Sequence, residues 1–111
     1  MQELAKLEVL TRVEEIKKEI WQISESYTNL SSGKMYYNLT ERERKHCAFL
    51  YARLTELIMQ LNNVNKSFEI KTNLVYKKMV NNLRDSLWTS TSQEYKDEVL
   101  NSEDIKTEHL I

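Results

Sequence analysis

The chain has 111 residues, no proline, one glycine and one cysteine, with 16 Lys and Arg against 17 Asp and Glu for a formal charge of −1. That length supports one domain with one modest core. The near-absence of turn-forming residues excludes multi-stranded β folds and glycine-rich phosphate loops. With 41% apolar and 30% charged residues, the composition is that of an all-α globular chain and not of a disordered tail.

Val9, Val13, Ile16, Ile20, Ile23, Tyr27 and Leu30 recur at alternating spacings of three and four, which predicts an amphipathic helix over about 2–30. Glu14, Glu15, Lys17, Lys18 and Glu19 fall on the opposite face, with Glu14 and Lys18 in the favourable i, i+4 order. Ser31-Ser32-Gly33 ends the helix, the sole glycine standing where a left-handed residue is expected.

Thr40-Glu41-Arg42-Glu43 matches a capping box and starts a second helix, predicted over about 40–65. Its apolar stripe is Cys47, Leu50, Leu54, Leu57, Leu61 and Val64. Ser67 is expected to cap a third helix over 68–88, with Phe68, Val75, Tyr76, Met79, Val80, Leu83 and Leu87 on one face. Short connections make these helices antiparallel neighbours in an elongated three-helix bundle spanning 1–88. The remaining 89–111 is an acidic C-terminal segment, with a weak fourth helix from Gln93 to about Leu100. It holds Glu94, Asp97, Glu98, Glu103, Asp104 and Glu108 against two lysines. Either it is a solvated tail, or it folds back on the third helix near Lys77, Lys78 and Arg84.

Two sets of apolar residues lie off these stripes. Leu7, Leu10 and Trp21 share another side of the first helix, and Ile70, Leu74 and Trp88 form a second stripe on the third. A helix that is apolar on two sides has a second neighbour. That neighbour is either the fourth segment or a protein partner or second copy, and the six residues are therefore the candidate partner-binding set. Lys77, Lys78 and Arg84 form an alternative, charged contact.

Chemistry-bearing patterns are sparse. Cys47 lies on a core stripe, and its neighbour His46 points about 100° away, so the two do not form a nucleophile–base pair. No Cys-x-x-Cys, His-x-x-x-His or calcium-loop spacing occurs. The basic run Arg42, Arg44, Lys45, His46 is interrupted by Glu43, against nucleic-acid binding. These features predict a non-enzyme with no metal, cofactor, small-molecule substrate, nucleic acid or membrane among its ligands. A lone cysteine and a charged N-terminal stretch predict an intracellular protein, cytoplasmic or nuclear.

Two families share features with this pattern. A long first helix carrying Val13-Glu14-Glu15-Ile16, the turn at Gly33 and the leucine-rich run Leu54–Val64 resemble a BAG domain over residues 9–65. The resemblance implies a co-chaperone that binds an Hsp70 ATPase domain and promotes nucleotide exchange. The third helix departs from that pattern, since Lys77 and Lys78 are followed by Asn81 and Asn82 out of phase, and Asn62 or Asn63 replaces an expected acid. Lys6-Leu7-Glu8, Phe49-Leu50-Tyr51-Ala52-Arg53-Leu54 and Lys77-Lys78-Met79-Val80-Asn81 are similar to the small coiled-coil subunit of the spindle and kinetochore-associated complex. That resemblance implies a helical subunit bundled with two others at a microtubule-attachment site.

Overall fold

The computed structural model describes the backbone of residues 2–102 and 109–111, and their side chains apart from residues 2–5 and 36. Glu103, Asp104, Lys106 and Glu108, part of the predicted acidic segment, lie outside the described residues. The described chain is an all-α bundle, with α1 over Gln2–Ser31, α2 over Glu41–Ser67, α3 over Leu74–Ser90 and α4 over Gln93–Asn101. A 3-10 turn, Tyr36–Asn38, links α1 to α2. The molecule measures 52 × 33 × 21 Å. Its long axis matches the roughly 45 Å that thirty helical residues span at ~1.5 Å each.

Local chemistry sets most boundaries. After α1, Gly33 adopts φ 71°, a left-handed conformation that a side chain resists. Thr40 and Glu43 form a reciprocal capping box at the start of α2: the Thr40 side chain accepts from the Glu43 amide, and the Glu43 carboxylate accepts from the Thr40 amide. Lys34 adds an ion pair to the same carboxylate at 2.7 Å. These bonds hold the Glu43 carboxyl down at about 2, with the Lys34 hydrogen bond as the leading cause.

The third helix begins later than its apolar pattern predicts. Ser67 is the last residue of α2 and caps nothing, and α3 starts at Leu74, where Asn73 Oδ1 accepts from the amides of Val75 and Tyr76. Between them, the Phe68 amide donates to Val64 O and the Ile70 amide to Asn65 O, with Glu69 at φ 51°. That six-to-one bond around a left-handed residue is a Schellman ending, made here without glycine. Ile70 consequently lies in the connection and not on the third helix. Phe68, Val75 and Met79 are exposed, while Tyr76, Val80, Leu83 and Leu87 face inward.

The core joins the expected stripes of α1 and α2 to this inner face of α3. It also takes in Leu39 from the first connection, Tyr51 and Ile58 from α2, and Leu110 from the C-terminal segment. Between α1 and α2, the Arg53 guanidinium grips both oxygens of Glu19 at 2.8 and 2.9 Å and bonds Glu56. Two turns nearer the α1 N-terminus, Arg12 donates to Gln60. Tyr27 OH meets Ser90 Oγ at 2.8 Å, and Lys17 Nζ sits 4.9 Å from the Tyr76 ring centre, so α1 is tied to α3 as well.

Candidate functional site

The six candidate partner residues separate into three environments. Leu7, Leu10 and Trp21 on α1 are 61%, 47% and 61% exposed. Leu74, at the first position of α3, is exposed too, and Ile70 is half-buried in the connection. Trp88 is turned inward: it packs on the core, its ring 5.1 Å from that of Tyr51, and Tyr51 in turn meets Tyr95 of α4 edge-on at 6.0 Å. The neighbour that the Trp88 side of α3 requires is therefore internal.

Of the alternative charged set, Lys78 is exposed and Lys77 half-buried, but Arg84 is buried with only 7% of its surface accessible. Its guanidinium donates to Tyr51 OH at 2.9 Å and to Asp85 at 3.1 Å, and its Nε has no partner among the described residues. Arg84 is thus an interior residue and not a surface contact. Burial raises the Tyr51 hydroxyl above its ordinary value, which keeps the phenol neutral beside the cation.

The most organised polar arrangement lies in the acidic C-terminal segment, for which the sequence left open a solvated tail or a return to the third helix near Arg84; residues 109–111 do return to that helix. Residues 109–111 run between α2 and α3, held by an asparagine from each. On one edge, Asn81 Nδ2 donates to Leu110 O at 3.0 Å and Asn81 Oδ1 accepts from the Leu110 amide at 2.7 Å. On the other edge, Asn62 Nδ2 donates to His109 O and Asn62 Oδ1 accepts from the Ile111 amide, both at 3.0 Å. Carbonyl and amide groups that alternate between two edges are the mark of extended chain. Each carboxamide, with one acceptor and two donors, stands in for a neighbouring strand.

Leu110 drops from this clamp into the core, 1% exposed. Thr72, itself held by Asn65 Nδ2, donates to Ile111 O at 3.2 Å. His109 Nε2 lies 3.2 Å from Arg84 Nη1 and 3.0 Å from Asp85 Oδ1. With its proton on Nδ1 the neutral ring accepts from Arg84 at Nε2, and with a proton on Nε2 it donates to Asp85. Two asparagines far apart in sequence carry no local periodicity, so helical-pattern reading had no signal for the clamp. The apolar pair Leu110-Ile111 after the acidic run was the trace it left.

Elsewhere, an open concavity of about 540 Å³ lies against Leu30, Arg42, Glu43, Lys45, His46 and Phe49. His46 stacks on exposed Phe49 with ring centres 6.5 Å apart. Cys47 faces the core instead, and burial pushes its thiol up to about 11, away from thiolate chemistry. Among the described residues, no group of three or more His, Cys, Asp or Glu could hold a metal ion. No helix there is long and apolar enough to cross a membrane.

Fold and surface together define an all-α bundle with three exposed apolar residues on α1 and an internal clamp for an extended segment. Comparison with protein-family models, with curated proteins and with solved structures finds no match to this chain.

Proposed function

We propose that the chain is a non-catalytic helical interaction module, a coiled-coil-type subunit or adaptor of a larger intracellular assembly. It joins that assembly by packing the outer face of α1 against helices of a protein partner or of a second copy. The observation that carries this reading is the exposure of Leu7, Leu10 and Trp21 on α1, whose inner stripe is already filled by the bundle. Tryptophan concentrates binding energy when its ring is desolvated at the centre of an interface. Leu74, exposed at the α3 N-terminus, supplies a second apolar contact. Both families that the sequence resembles act through protein partners, in line with this reading. A lone buried cysteine suits a reducing compartment, cytoplasmic or nuclear.

The test is the mass of the chain in solution, measured by sedimentation over a wide concentration range, alone and with an extract of its native source. A Trp88→Phe variant leaves Trp21 as the sole tryptophan reporter. Assembly with a blue shift of Trp21 emission is expected, and Leu10→Lys with Trp21→Lys should abolish it without moving the unfolding midpoint. A chain that stays monomeric with Trp21 in water under both conditions overturns the proposal.

A further inference from the structure

We propose that the groove between α2 and α3 is a receptor site for an extended, leucine-centred peptide of a partner protein, held in cis by residues 109–111. The inference does not depend on what covers α1. Its basis is what the groove recognises. Toward residues 109–111, Asn62 and Asn81 bond main-chain atoms on both edges of the segment, a mode of recognition that reads extended backbone. Main-chain bonds of this kind supply affinity in strand-addition recognition, and side-chain pockets supply specificity. Here the pocket is the seat of Leu110, whose side chain is 1% exposed.

A bundle that needed only to seal its core could do so with a helical side chain, as Val99 of α4 is buried. The clamp instead presents two carboxamides and the Thr72 hydroxyl to five bonds with main-chain atoms. All five run from side chains of the bundle, so the segment can leave without opening any helical hydrogen bond. Ahead of the leucine, Arg84 and Asp85 face the His109 ring, which calls for a polar side chain there. The Ile111 side chain is exposed, so the position after leucine is unrestricted. Ile111 borders an open concavity of about 510 Å³ lined also by Asn62, Asn63, Asn65 and Lys66 of α2 and Ile70 of the connection, where further residues of a peptide would lie. The partner is thus a polar–leucine–any segment in extended conformation, and 109–111 is its intramolecular competitor.

Leu110→Asp in the full chain removes the competitor while leaving the groove intact. A labelled Thr-Glu-His-Leu-Ile peptide should bind this variant at least about tenfold more tightly than it binds the unsubstituted chain, whose tethered segment occupies the site. Adding Asn81→Ala should weaken that binding at least about tenfold through the loss of two main-chain bonds. Circular dichroism establishes that the variants are folded. Folded Leu110→Asp chain that ignores the peptide, or binding indifferent to Asn81, overturns the proposal. Should Leu110→Asp fail to fold, hydrogen exchange at the Leu110 amide of the unsubstituted chain decides: acceleration by excess peptide supports the proposal and indifference refutes it. Chains that exchange 109–111 with one another to form dimers in place of binding the peptide also refute it, in favour of a second copy.

Discussion

Deleting one hydroxyl from each of three tyrosines should give three different outcomes. Tyr→Phe removes the same atom each time, so differences between sites isolate what that oxygen does. At position 51 the hydroxyl accepts from the buried Arg84 guanidinium, whose Nε already lacks a partner among the described residues. Losing a bond to a charged group costs about 1.5–3 kcal/mol, and Tyr51→Phe should be the most destabilised of the series. At position 27 the partner is the buried Ser90 hydroxyl, and Tyr27→Phe should lose about 1–2 kcal/mol by stranding it. At position 76 the hydroxyl is buried with no partner among the described residues, and burial pushes its pKa up to about 12. Phenylalanine relieves that desolvation and keeps a ring beneath Lys17, so Tyr76→Phe should gain about 0.5–1.5 kcal/mol. Urea unfolding followed by circular dichroism measures all three, with unchanged slopes showing that the denatured state is comparable. A Tyr76→Phe variant as destabilised as Tyr27→Phe would refute the reasoning.

Acid should weaken the start of α2. Because the Glu43 carboxyl is lowered from 4.5 to about 2 in the folded chain, its contribution is complete above pH 4.5 and fades as pH falls toward 2. Glu43→Gln should flatten that part of the stability profile in a pH series of thermal melts. Cys47 should resist a thiol-specific disulfide reagent at pH 8 until denaturant is added, because the thiol is buried and titrates at about 11; prompt reaction of the native chain would contradict its placement in the core.

Most of the fold was legible because its signals are local. The stripes of α1 and α2 repeat with the helical period, Gly33 is the residue a left-handed position favours, and Thr40 with Glu43 completes a cap within four residues. The start of α3 was not legible for the same reason. Phe68 lies in phase with the stripe of α3, so periodicity carried the helix back across a turn. With a single glycine assigned to the first turn, nothing flagged Glu69 as a second left-handed residue. The second apolar stripe expected on α3 does not form as one: Ile70 lies in the connection, Leu74 is exposed, and Trp88 packs on Tyr51 of α2. Charge counting described the C-terminal segment as acidic, yet its fate at 109–111 rests on Leu110 and on Asn62 and Asn81. Bonds between residues 29 and 49 positions apart leave no mark on either neighbourhood.

The Arg53–Glu19 fork has a consequence for uniqueness more than for strength. Heptad stripes are self-similar, so α2 could slide along α1 by seven residues and keep apolar side chains facing one another. In the observed alignment Glu19 meets Arg53 and Arg12 meets Gln60. A slide in one direction would bring Arg12 opposite Arg53 and leave Glu19 opposite His46, trading a bidentate ion pair for a clash of two cations. The opposite slide would set Glu19 against Gln60 and Arg12 against Ser67, with no charge pair at either place. Surface charges that add little to the depth of the native state therefore decide which of several near-equivalent alignments it is.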